Sequence, residues 1–186
     1  MFQPENPYHR DEILAATAFT RDDIARFYSE LPLEIFYARP KQGWSPWRNL
    51  RHLVKTGIAL NLGLLQPRFM LRLFFGRDAK GRPLEETGAD YLNMLAGGRK
   101  AGIYAPVNWA RTPRDMAQTH EGIIEAWKRT ITAGMGIVEK KWPDADLDRY
   151  RLPHPLLGKI PVREMLQFSL LHAYHHTEIV RKRVKR

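Results

Sequence analysis

Apolar positions along this chain recur at intervals of three and four in four separate stretches, and none shows the sustained alternation of a half-buried strand. In the first, residues 11–31, Ile13, Leu14, Ala18, Ile24, Phe27, Tyr28 and Leu31 form a broken stripe. Thr20 with Asp23 reads as an internal cap, so the stretch is one kinked helix or two. Pro32 and Pro40 close the region. A second helix opens at Ser45, whose hydroxyl suits an N-cap, with Pro46 at the first helical position, where no intrahelical bond is lost. Leu50, Leu53, Val54 and Ile58 make its stripe, His52 lies beside it, and Pro67 ends it. The apolar "RFMLRLFFGR" that follows reads as a helical extension packed on the body.

Residues 76–112 break the pattern. They are rich in glycine and read as a long irregular crossover with a short helix near 89–95; so long a loop in a compact domain often covers a site or builds an interface. A third helix follows Pro113, with Met116, Ile123, Ile124, Trp127, Ile131 and Val138 on one broad face. "PDADLDRYRLPHPLLGK" reads as a second loop, and a fourth helix runs from Pro161 to about residue 183. Four amphipathic helices and one long crossover between the second and third predict an all-α protein, a four-helix bundle forming one domain over residues 1–186.

Composition narrows the chemistry. The 186 residues suit a single domain with a sizeable core, although two small domains also fit the length. No apolar run approaches the ~20 residues that span a membrane. The opening "MFQPENPYHRDE" lacks a charged-then-apolar signal segment, so a cytoplasmic protein is expected. With no cysteine, disulfides, thiolate ligands and a cysteine nucleophile are excluded, and any metal must be held by imidazole and oxygen. The net charge of +10 points to nucleic acid, an anionic surface or an acidic small molecule. The basic residues are nevertheless dispersed, except for the terminal "RKRVKR", which suits the negative end of a helix dipole and a solvated helix terminus.

The stretch "LLHAYHHTEIV" holds three of the chain's seven histidines on an apolar helix. Residues four apart on a helix differ by about 40° in azimuth and ~6 Å in height, so His172 and His176 can aim two imidazoles at one point. His172 and His175 can do the same, whereas His175 and His176 diverge by about 100°. A third ligand has to come from another helix, and His52 is the best placed. HxxxH is also a common accident, and the alternative is histidines hydrogen-bonded to carbonyls at the edge of a core.

Two stretches together carry a resemblance. "WSPWRNLRHLV" and "LPHPLLGKIPVREMLQFSLLHAYHHTEIV" are similar to segments of the DinB-like superfamily, which includes YfiT-type proteins. The matching residues are Trp44, Ser45, His52, His154, Pro155, Gly158, Lys159, His172 and His176, within residues 34–60 and 150–182. The resemblance implies a four-helix bundle, frequent homodimers, and one divalent metal ion held by His52, His172 and His176; zinc and nickel both suit imidazole ligands. It also implies a metal-dependent transferase acting on low-molecular-weight thiols such as bacillithiol, mycothiol or glutathione. Three neutral ligands with an open position suit catalysis, whether thiol transfer or hydrolysis, on a small-molecule substrate.

His154, in the loop before the histidine helix, is placed near enough to hold a metal ligand in position or, equally, as a turn residue. His120 reads as a boundary histidine, His175 is left without a role, and Trp44 and Trp47 read as packing at the mouth of the bundle. The competing account is a basic, non-catalytic module that binds nucleic acid or an anionic ligand, with structural histidines; no recognition-helix or RNA-binding motif supports it.

Overall fold

In a computed structural model, residues 6–77, 81–98, 102–105 and 113–184 are described. Most of the chain is helical: α1 (Arg10–Ser29), α2 (Leu33–Tyr37), α3 (Pro46–Leu64), α4 (Arg68–Phe75), α5 (Leu84–Ala96), α6 (Pro113–Lys141) and α7 (Val162–Val184), with one hairpin of β1 (Arg151–His154) and β2 (Gly158–Pro161). Among the described residues no helix is long and apolar enough to cross a membrane. Of the four long helices, α1 and α3 each pack against both α6 and α7.

Helix α1 is continuous. Thr20 starts no second segment, because its hydroxyl is buried and donates back to the Ala16 carbonyl at 2.8 Å. Helix α3 begins as expected: Ser45 Oγ accepts from the Arg48 amide at 3.2 Å, with Pro46 first in the helix. Leu50, Leu53 and Val54 are buried, but Ile58, the fourth residue of the expected stripe, is 47 % exposed. The α3 and α6 backbones approach closely where side chains are smallest. A Cβ on Gly57 would lie 2.9 Å from Thr130 Cγ2, and one on Gly134 would lie 2.5 Å from Asn61 Oδ1. The Asn61 amide stitches the same crossing by donating to the Thr130 carbonyl at 2.9 Å.

The buried apolar residues form two clusters. One, around Ile24, Tyr28, Phe36, Leu50, Leu53 and Trp127, fills the end of the helix array nearer Trp47. The other, around Ile13, Leu64, Leu71, Trp142, Leu147 and Leu166, fills the opposite end. Two of the buried indoles donate to carbonyls, Trp127 to Arg21 and Trp142 to Leu64.

The region expected to be a single loop before the last helix contains the β-hairpin. Each strand has four residues, too few for a period of two to be legible, and both carry proline. Its turn explains "HPLLGK". His154 Nδ1 accepts from the amides of Leu156 (3.3 Å) and Leu157 (3.0 Å). Gly158 takes φ +77°, open to glycine without steric cost. Lys159 donates to the Phe74 carbonyl at 2.9 Å, tying the hairpin to α4. Pro161 ends β2 rather than opening α7, whose first amides, of Val162 and Arg163, donate to the carbonyls of Tyr150 and Leu147.

The crossover is more helical than expected, with α5 starting at Leu84, and a 3-10 turn spans Gly102–Tyr104. Residues 78–80, 99–101 and 106–112 of that segment, and the Met116 side chain assigned to the third helix's face, lie outside the described residues. Glu164 anchors the crossover to α7. Its carboxylate is 2 % exposed and accepts from Arg82 Nε (3.1 Å), Arg82 Nη2 (2.8 Å), the Arg82 amide (3.1 Å) and Thr87 Oγ1 (3.0 Å). Gly88 lets α5 settle on α7, since an added Cβ would stand 3.1 Å from Leu171 Cδ1.

Candidate metal centre

The histidines predicted from helical spacing meet where α3 crosses α7. Both imidazoles of α7 and the one from α3 face the interior: His52 is 3 % exposed, His176 8 % and His172 9 %. One ring nitrogen from each lies within 4.8 Å of the others, a grouping able to hold a metal ion. His52 Nε2 is 3.1 Å from His172 Nε2. Two nitrogens about 2.0–2.1 Å from a common zinc at a tetrahedral angle would be roughly 3.3 Å apart, so the observed spacing needs little adjustment.

The protons can be placed from the partners. A carbonyl only accepts, so His52 Nδ1, 3.0 Å from the Tyr104 carbonyl, carries the proton and its Nε2 is a lone pair. The Asn49 amide is fixed in turn, because its Nδ2 donates to the carbonyls of Trp44 (3.1 Å) and Ser45 (3.0 Å). Its Oδ1 therefore faces His176 Nδ1 at 2.8 Å, which makes that nitrogen the donor and leaves His176 Nε2 as a lone pair. A backbone or amide oxygen holding the far nitrogen is the usual orienting arrangement for metal-ligating imidazoles. His172 differs. Without an ion, its Nε2 must carry the proton to hydrogen-bond His52 Nε2, and that proton has to leave before the nitrogen can serve as a ligand.

Burial is the main cause that pushes the pKa values of all three below the ordinary 6.5. For His172 and His176, repulsion from the neighbouring imidazoles adds to it. The set is thus kept neutral, the form that binds metal.

Aromatic rings wall the centre. Trp44 lies nearly parallel to His176, 6° between planes and 5.7 Å between centroids, and Phe168 stacks on His172 at 5.5 Å. Tyr91 from α5 meets both His172 and His175 edge-on, so the crossover covers the site through Tyr91 and the Tyr104 carbonyl. Trp44 is thus part of the site wall, whereas Trp47 is core. His154 lies beside the centre, its ring edge-on to Phe168 at 4.6 Å, with its Nδ1 occupied in its own turn. His120 sits at the boundary and donates to the Tyr28 carbonyl at 2.8 Å.

Sequence reasoning missed Asn49 and Tyr104. Asn49 lies three positions before His52, so a polar residue on the buried side of an N-capped first turn was the available signal. Tyr104 contributes only its backbone, which no residue-type pattern reveals.

A mostly helical chain with three buried imidazoles converging between two helices has the character of a histidine metal centre. The profile of the DinB superfamily matches residues 16–180, and the chain belongs to that superfamily. A search of curated proteins finds no match.

Proposed function

We propose that α1, α3, α6 and α7 form the four-helix bundle of the superfamily and that His52, His172 and His176 hold one divalent ion, zinc or nickel, in a metal-dependent transferase or hydrolase. The observation that carries this reading is the convergence of three imidazole nitrogens with two far nitrogens already engaged, by the Tyr104 carbonyl and by Asn49. When bound, an ion with three neutral ligands supplies Lewis acidity and lowers the pKa of a thiol or water brought to it.

The chain's own residues supply the setting. Asn49 and the Tyr104 carbonyl orient two ligands. Trp44, Phe168 and Tyr91 exclude water from their flanks. No cysteine is present to act as an internal nucleophile, which favours an exogenous small thiol.

Metal content of the untagged protein tests the reading. His52→Ala, His172→Ala and His176→Ala should each lose most of the metal, while His175→Ala keeps it; equal occupancy in all four would refute the ligand set. A panel of low-molecular-weight thiols with electrophiles, alongside simple esters, then compares wild type with His172→Ala. Indistinguishable rates across the panel would leave the catalytic reading without support.

Self-association is a further part of the proposal. Leu62, Phe69, Leu73 and Phe74 on α3 and α4 are all more than half exposed, Leu73 at 73 %. An apolar surface of this kind suits a partner copy. Light scattering should give a dimer mass, reduced to that of a monomer by Leu73→Glu with Phe69→Glu.

A further inference from the structure

The two buried clusters do not close on one another. Between them, continuous with the histidine centre, lies a cavity of about 730 Å³. Its walls draw on both: Leu53, Trp127 and Ala173 from one cluster, Ile13, Val138 and Met165 from the other. From Met165 to His176 the cavity follows three turns of α7, roughly 17 Å. Protein interiors are normally packed to the density of organic crystals, and a void of this size lies within the range of small-molecule sites.

The threonine and serine hydroxyls along its middle are already engaged. The hydroxyls of Thr17, Thr56 and Ser169 each donate to a carbonyl of their own helix, at 2.6, 3.1 and 2.6 Å. Asn61 donates across to α6. Polar capacity is concentrated at one end, where the His52 and His176 lone pairs converge. Among the described lining residues there is no carboxylate, and Arg183, beside Trp44, is the one permanently charged side chain.

We propose that this cavity binds an elongated small molecule with an apolar chain, which lies between the two clusters and carries an anionic head group to the three histidines. The absence of a carboxylate argues against a cationic head, and the self-satisfied hydroxyls argue against a sugar-like or peptide-like body. The inference rests on the metal-centre reading for its head-group half alone; the chain half stands on the cavity.

The test uses the full-length zinc-loaded protein and the series of straight-chain alkanoates from butanoate to dodecanoate, titrated by calorimetry. Affinity should rise about fourfold per added methylene until the chain fills the cavity. It should fall at least tenfold for dodecanoate in Thr17→Leu and in Ser169→Leu, each of which narrows the middle, with metal content and helicity retained. In His172→Ala the dependence on chain length should survive, while the preference for alkanoate over the matching alkanol is lost. An affinity flat in chain length in the wild type overturns the proposal, as does undiminished dodecanoate binding in two folded narrowing variants, which would place the probe on the exposed α4 face. A normal chain-length dependence with no alkanoate preference in the wild type would reject the head-group assignment while upholding the apolar chain site, and the metal content of the histidine variants tests the metal-centre reading separately.

Discussion

Helix α7 buries polar groups in two contrasting ways along its length. In its first turn Arg163 donates to Asp144 at 3.0 Å and Asp148 at 2.9 Å, to the carbonyl of Asp144, and to that of Tyr8, while Glu164 accepts four hydrogen bonds from Arg82 and Thr87. Charge meets opposite charge, and the carboxylate of Glu164 is fully engaged. Two turns on, His172 and His176 are as deeply buried, but they meet a third base instead of an acid. The first network pairs opposite charges and pins the crossover and the loop before the hairpin. The second turns three imidazoles on one another, with one hydrogen bond between His172 and His52 and no charged partner. Burial of polar groups alone therefore does not distinguish scaffold from site; the direction of the donors and acceptors does.

The scaffold end should show the largest effect. Glu164→Ala removes the acceptor of a buried charged network and should lower unfolding stability by about 3 kcal/mol, read by denaturant titration, with metal per folded molecule unchanged. A loss below about 1 kcal/mol, the size expected of an exposed pair, would erase the contrast.

Next in size is Asn49. Asn49→Ala frees the far nitrogen of His176 and should weaken metal binding about 10–100-fold in competition with a chromophoric chelator. Asn49→Asp keeps an acceptor for His176 but sets an oxygen against the Trp44 and Ser45 carbonyls, so it should recover only part of it. Nitrogen NMR of the metal-free wild type should show His176 protonated on Nδ1 and that preference lost in Asn49→Ala; an unchanged tautomer would mean that Asn49 does not orient the ring.

Acid separates the two ends by smaller steps. The centre's histidines, and His154 at about 4, have folded pKa values pushed down by burial. Below pH 6.5 the unfolded chain therefore binds more protons than the folded one. Stability of the metal-free protein is full above that pH and declines as pH falls, with the share from His154 exhausted near pH 4. Asp144 is also lowered, chiefly by its hydrogen bond to Arg163, so its stabilisation persists above 3.8 and is lost only as pH drops through its folded value. Unfolding followed against pH should begin to weaken below 6.5, and His154→Gln should flatten part of that slope. A curve flat down to pH 4 would contradict the histidine assignments.

Much of the architecture was legible in the residue pattern. The start of α3 could be located from Ser45–Pro46, because an N-cap and a first-turn proline act locally, and the long helices followed from apolar periodicity. The pairing of His172 with His176, and of both with His52, was also within reach, since one helix geometry sets the first and family resemblance indicated the second. Helix α2, the early start of α5 and the four-residue strands were not legible, because short elements are held by contacts from elsewhere in the chain and leave little periodicity of their own.

What the chain determined by itself was the identity and local spacing of its candidate ligands: no thiolate, two histidines four apart on one helix, and one more behind a capped start. Tertiary structure alone decided which nitrogens face inward, because the proton positions depend on the Tyr104 carbonyl and on an amide held by Trp44 and Ser45. It also decided that the core divides into two clusters around a cavity, since a void is a property of how four helices meet and no single helix encodes it.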